Sequence, residues 1–297
     1  MSEVVAPELL MAVPNVSDGR HAPLLEGIEQ AFAPARFLDI HADPDHNRSV
    51  FTLAARQGEL AEGLVSGARA VVEGVDISLH GGVHPHVGAL DVMPVVYRSE
   101  AQRGPACAEL LTAAARIGDE LELPVVLYGE LATKPEHRER AWLREGGPVA
   151  LAQRIEDGDV VPDFGPARAH PTAGVVLAAA RPPLVAFNVD LATPDLDAAR
   201  RIATSIRESN GGLTGVRAIG LWLEQRGCAQ VSCNVHDHRA TPLREVVAAV
   251  RAQAPVAEAE LVGLAPEAAF EGFPADVPLR GFTSGRHLLE NALAAVG

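Results

Sequence analysis

The chain has 297 residues, 47% of them apolar, and a formal net charge of −14 at pH 7. That is length for about two domains and enough apolar content for a core in each, while an acidic balance with no basic block excludes a nucleic-acid-binding footprint. No apolar run reaches the ~18–20 residues of a membrane helix, and Met1–Glu8 lacks the basic start of a signal peptide, so no membrane contact and a cytoplasmic location are expected.

Lys134 is the only lysine. It rules out a Gly-Lys-[Ser/Thr] phosphate loop, and it sits in a polar Ala-Thr-Lys-Pro-Glu turn, a poor place to desolvate an amine for Schiff-base chemistry. No Gly-x-Gly-x-x-Gly follows a strand, and no Gly-x-Ser-x-Gly elbow is present. Cys107, Cys228 and Cys233 form no Cys-x-x-Cys pair and read as small buried hydrophobes.

In chain order, residues 9–16 read as a strand ending in the turn Ser17-Asp18-Gly19-Arg20. Leu24, Leu25, Ile28 and Phe32 recur at helical spacing after Pro23. Residues 36–42 and the run from Ser49 form a hairpin across Asp43-Pro44-Asp45-His46-Asn47. Residues 58–74 make a helix with Leu60, Leu64, Ala68 and Val71 on one face. The Leu79–Val92 stretch holds His80, His84, His86, three glycines and Pro85, and it feeds a strand over 92–98. A helix at 100–121 and a strand after Pro124 come next, then an amphipathic stretch at 137–157 broken near Gly146-Gly147-Pro148.

Residues 161–174, rich in proline and glycine, read from composition as an ordered linker. Beyond it the same grammar returns: strands at 173–180 and 184–191, a helix at 195–208, a hairpin at 215–236, a helix opened by Thr241 as N-cap and Pro242, and a strand at 256–263. A tail from 265 ends in a helix at 285–295. The fold class is therefore α+β. Two tandem ferredoxin-like (β-α-β-β-α-β) subdomains are expected, with helices on one face of mostly antiparallel sheets, spanning residues 1–175 and 176–297.

The histidine loop is the first candidate for chemistry, because histidine alone titrates near neutrality unaided and loops on a rigid scaffold commonly carry function. A metal site using His80, His84 and His86 with Asp91 or His46 has no standard zinc spacing, so proton transfer is preferred and no metal is expected. Asp39 and His41 share one face of a strand beside the polar hairpin turn. Arg48, Arg181 and Arg207 are candidate carboxylate clamps, since the guanidinium fork suits bidentate binding.

Several ordered motifs carry a resemblance. Val13-Pro14-Asn15-Val16-Ser17-Asp18-Gly19-Arg20, Asn47-Arg48-Ser49-Val50 and His84-Pro85-His86-Val87-Gly88-Ala89-Leu90-Asp91-Val92 resemble the formiminotransferase part of formiminotransferase-cyclodeaminase. So do Tyr128-Gly129-Glu130, Pro162-Asp163-Phe164-Gly165-Pro166, Ala186-Phe187-Asn188-Val189, Gln230-Val231-Ser232 and Glu260-Leu261-Val262-Gly263-Leu264. The resemblance implies transfer of the formimino group from N-formimino-L-glutamate, a histidine breakdown product, to N5 of tetrahydrofolate, which serves as co-substrate. It implies His84 as the catalytic histidine and a groove between two ferredoxin-like subdomains. It also implies a folate-contacting segment at Gly165, Pro166, Ala167, Arg168, Ala169, His170, Pro171, Thr172, Ala173 and Gly174.

Mammalian bifunctional members carry an acidic residue where this chain has His41, so help for His84 is expected from Asp39 or His41. His80, His86, Arg48, Asn188 and Arg181 are expected on substrate. A homodimer is expected, as is a separate cyclodeaminase acting on the product. The rival readings are formyl transfer between glutamate and tetrahydrofolate, a histidine-ligated metal-dependent amidohydrolase, and a non-catalytic folate carrier.

Overall fold

The computed structural model describes residues 9–296, so the N-terminal stretch read for a signal lies outside them. The chain divides between Pro182 and Pro183 into two compact units.

In the first unit, β1 (Leu10–Ala12) and β2 (Asn15–Val16) form one strand interrupted at Pro14, which has no N–H to give to a ladder. Then come α1 (Ala22–Ala31), the hairpin β3 (Arg36–Asp43) and β4 (Arg48–Ala55), α2 (Leu60–Gly74) and β5 (Leu90–Val96). The strands lie in the order β3, β4, β1/β2, β5, and each of these pairs is antiparallel. This is the expected β-α-β-β-α-β layer. Ile28 and Phe32 with Leu60, Leu64, Ala68 and Val71 form its buried helical side.

The unit then grows beyond that layer. After α3 (Glu100–Glu120) come β6 (Val125–Leu127), the short α4 (Arg140–Leu143), α5 (Gly147–Glu156) and β7 (Val176–Arg181). β7 runs parallel between β5 and β6. Parallel strands need cover on both faces. Leu110, Ala113 and Ile117 of α3 supply one side, and Leu151 and Ile155 of α5 the other. Two expectations change here. The boundary lies at Pro182 rather than 175, because residues 176–181 complete the first sheet. Helices also flank both faces of this parallel wing rather than one.

The second unit holds β8 (Val185–Leu191), α6 (Leu196–Ile206), β9 (Val216–Leu223), β10 (Cys228–Val235), α7 (Leu243–Arg251) and β11 (Val256–Val262). Its sheet has the order β11, β8, β10, β9, antiparallel throughout, the same layer again. Ile202, Ile206, Val246, Val247 and Val250 bury the inner faces of α6 and α7. Thr241 does not cap α7: its hydroxyl donates to the Thr214 carbonyl at 2.7 Å, and the helix begins after Pro242. The tail adds α8 (Ser284–His287) and α9 (Leu289–Ala294) where one helix was expected. The break falls at Leu288, because the backbone on either side of it bonds to Ala265. Among the described residues no helix is long and apolar enough to cross a membrane.

Candidate active site

The loop that carries the histidines is held from both sides. On one side it meets the β3–β4 turn. His80 Nε2 donates to the Asn47 carbonyl at 2.9 Å, Val83 N–H to the Asp45 carbonyl at 3.1 Å, and Arg20 bridges the carbonyls of Pro44 and Gly81. Gly82 lies so close to that turn that a Cβ there would sit 2.1 Å from the His46 carbonyl oxygen. On the other side Ala89 N–H donates to the Ala173 carbonyl at 2.9 Å, and Val175 N–H to that of Val87 at 3.1 Å. Gly174 adopts φ +67°, with Gly88 facing it across an antiparallel bridge. The expected folate segment therefore splits. His170–Gly174 forms a tight turn, with His170 Nδ1 accepting from Ala173 N–H at 3.0 Å, and it braces the histidine loop. Gly165 seats instead against Gly118 of α3, and Arg168 is exposed beside Glu122.

His84 sits mid-loop with a half-buried ring. Its Nδ1 lies 2.8 Å from the Pro85 carbonyl oxygen, which can only accept, so Nδ1 carries the proton. In the neutral ring that leaves Nε2 with a free lone pair. The side chain's pKa is pushed well below the ordinary histidine value, first by loss of solvent and then by the charges of Arg48 and Arg144. His46 stands beside it, ring centroids 5.9 Å apart, and is itself anchored by Asp43 at 3.0 Å. His80 and His86 pair with centroids 3.9 Å apart. Both have lowered pKa values, with burial the largest cause. Both nitrogens of His80 are committed, since Nδ1 accepts from Gly82 N–H at 3.3 Å. Within this histidine trio the uncommitted ring nitrogens are therefore His84 Nε2 and His86 Nε2, the latter buried without a partner.

Beneath the loop lies a charged cluster that patterning did not reveal. Asn15 pairs with Val92 and Val16 with Leu90, so Asp91 is the extra residue of a bulge. A bulge re-aims its side chain. The fully buried Asp91 carboxylate accepts from Val87 N–H at 2.9 Å, from Arg48 at 2.7 Å and from Arg144. These two arginines hold its pKa down at about 2 against the opposing effect of burial. Arg48, an expected clamp, has all three nitrogens on protein acceptors, the other two on the Asn15 side-chain oxygen. Arg144 was not singled out by sequence; it lies just past α4 in the amphipathic 137–157 stretch, where Arg140, Arg144 and Arg154 were the available signal.

The remaining expected residues lie on β3, β7 and β8. Asp39 and His41 lie on β3 opposite Thr52 and Val50, on the same alternation as Asp43, whose carboxylate His41 helps keep ionised. Arg181 ends β7 opposite Val96 and gives one N–H to the Pro182 carbonyl. Asn188 belongs to the second unit, where its amide donates to Glu260 at 3.2 Å.

Comparison with known proteins agrees with this architecture. The formiminotransferase domain, N-terminal subdomain, matches residues 9–181, and the formiminotransferase domain matches residues 186–272. The glutamate formimidoyltransferase of Streptococcus pyogenes is 34% identical over 296 residues, covering 96% of this chain and 99% of that protein. That of Thermoplasma acidophilum is 34% identical over 272 residues, covering 88% and 89%. The formimidoyltransferase-cyclodeaminase of Rattus norvegicus is 35% identical over 277 residues, which are 87% of this chain but 50% of that longer protein. Two family matches that meet at the boundary between the units, with relatives matched nearly end to end, show that the chain belongs to the formiminotransferase family and is a transferase.

Proposed function

We propose that the enzyme transfers the formimino group of N-formimino-L-glutamate to N5 of tetrahydrofolate, with His84 as the proton carrier. N5 attacks the formimino carbon, and His84 Nε2 takes the proton that N5 loses. The tetrahedral intermediate then breaks its bond to the glutamate nitrogen, and the same proton passes from Nε2 to that departing amine. One N–C bond forms, one breaks, and the proton count closes without a metal or an enzyme-bound intermediate.

The observation that carries this reading is the state of His84: Nδ1–H pinned on Pro85, Nε2 free, and a pKa low enough for the ring to begin as a base at neutral pH. Such proton transfer is typically worth ~10²–10⁴-fold. Bringing two substrates together contributes as well, since effective molarities reach ~10⁵–10⁸ M. In this reading the part of the folate segment that meets tetrahydrofolate is the turn His170–Gly174, and its bracing of the histidine loop supports that role. The reaction belongs to histidine breakdown, and its product is the substrate for a cyclodeaminase activity.

The test uses purified enzyme, tetrahydrofolate and N-formimino-L-glutamate with a chelator present, followed by acid conversion of the product to its absorbing methenyl form. Signal that needs both substrates supports the reading, and His84→Ala should lose that signal while keeping tetrahydrofolate binding. Equal turnover of N-formyl-L-glutamate would point to the formyl donor instead, and glutamate release without folate would point to a hydrolase.

A further inference from the structure

The cluster under the histidine loop holds more positive charge than its own carboxylate answers. Asp91 is shared by Arg48 and Arg144, and the charge of Arg140 bears on both. The two arginines on Asp91 are not equivalent. Arg48 spends every nitrogen on protein. Arg144 gives one nitrogen to Asp91, while its Nε is buried with no acceptor and its side chain is 10% exposed. A buried donor left unsatisfied costs about as much as a lost hydrogen bond, and more when it is charged. Burial presses the guanidinium down to about 9, leaving it cationic at neutral pH. The Tyr128 hydroxyl lies in the electrostatic field of the same arginine.

Resting on the transfer reaction proposed above, we infer that Arg144 receives the α-carboxylate of the formimino donor and thereby sets the donor's nitrogen beside His84. The charge is of the right sign, and Arg144 is the one of the pair with donor capacity to spare. The choice of carboxylate follows from covalent geometry. An α-carboxylate carbon lies about 2.5 Å from the α-nitrogen that leaves, two bonds away, whereas the γ-carboxylate carbon is four bonds away along the side chain. Asp91, which holds Arg144, also accepts from Val87 N–H three residues past His84, so this cation lies directly under the histidine loop, where the carboxylate nearer the leaving nitrogen suits it better. Arg181 is a weaker candidate. It faces Val96 while Asp91 lies near the other end of the same strand, roughly 16 Å away at ~3.3 Å per residue.

The test compares three donors in steady state: N-formimino-L-glutamate, N-formimino-4-aminobutyrate without the α-carboxylate, and N-formimino-L-glutamine without the γ-charge. Wild-type enzyme should handle the aminobutyrate derivative ~10–100-fold less efficiently in kcat/KM, the range for a charge-assisted contact. Arg144→Gln should raise KM for N-formimino-L-glutamate by a similar factor and leave KM for tetrahydrofolate within about twofold. It should also erase the discrimination against the aminobutyrate derivative while keeping that against the glutamine derivative. Unchanged discrimination in Arg144→Gln overturns the inference, because a merely structural arginine would slow all three donors alike. Arg144→Lys, which keeps the charge beside Asp91, serves if the glutamine variant fails to fold, with partial loss of the same discrimination expected and full retention overturning the clamp. No transfer by wild-type enzyme to tetrahydrofolate from any of the three donors would remove the underlying reaction, and the clamp with it.

Discussion

His84 Nδ1 and the carbonyl of its own neighbour, Pro85, stand 2.8 Å apart, so the proton on this ring is placed by the chain itself. The consequence is a base whose free nitrogen is always Nε2 while the ring is neutral. With its pKa held well below the ordinary ~6.5, the ring is neutral throughout the neutral range. The kcat/KM profile should therefore stay level as pH falls from 7.5 past ~6.5, and its acid limb should begin only below that. A limb centred at or above ~6.5 in free-enzyme kinetics would contradict this account.

Asp91 answers two buried guanidiniums with one carboxylate. Asp91→Asn removes the charge and keeps the shape, leaving both arginines buried and uncompensated. Loss of about 3–5 kcal/mol is expected, the usual cost of breaking a buried pair from one side. Denaturant unfolding with an unchanged m-value would measure it. Replacement without measurable loss would mean that solvent reaches both arginines.

Acid should weaken the fold before its carboxylates titrate. His80, His84, His86, His137 and His170 all have pKa values below the ordinary histidine value, with burial the first cause in each. The unfolded chain then takes up protons first, at ~6.5, so this stability is fully present above ~6.5 and is lost as pH falls toward the folded values. The melting temperature should drop between pH 7.5 and 5.5. His137, fully buried with both ring nitrogens unpartnered, should contribute visibly, and His137→Phe should flatten the slope.

Helix α2 begins without a capping side chain of its own. Glu109 of α3 supplies one from 48 residues away, its carboxylate accepting from Gly58 N–H at 2.6 Å and Ala61 N–H at 2.8 Å. Glu109→Ala should cost about 1–3 kcal/mol, a lost cap plus the buried donor of Ala61. Glu109→Gln, which keeps one acceptor oxygen, should recover part of it. Equal stability of the alanine variant would show that water replaces the carboxylate.

What the residues reveal in advance follows the range of each interaction. The second unit is local throughout: the hairpin over Gln225–Gly227 and the helices α6 and α7 announce themselves by spacing, so its layer was legible strand by strand. The four-strand layer of the first unit was legible for the same reason. β7 is legible as a strand but its sheet is not, because Val176–Arg181 meets β5 by parallel pairing across 85 residues and nothing in its own pattern names that partner. In the site, His84 stood out by composition. Arg144 did not, since an arginine in a charged amphipathic stretch is indistinguishable from a surface one until the bulge at Asp91 turns a carboxylate toward it. The α2 cap was hidden likewise, its acceptor lying on another helix.

The two layers also differ in how their last strand is finished. In the first unit β5 is continued by β7 and β6, while in the second the backbone of β11 at Ala259 pairs with the tail at Pro278 and Arg280. An unpaired strand is a template on which a second chain can add. The tail after β11 thus does for the second sheet what a whole parallel wing does for the first: it denies that template to neighbouring copies. Of the strands left at a rim, β6 is met by the backbone of Asp163 and Phe164, while β3 and β9 carry charge, with Arg36, Asp39 and Asp43 on one and Arg217 on the other. The open edges of the two sheets are therefore closed by two unlike devices, and removing residues beyond Val277 would disable one of them.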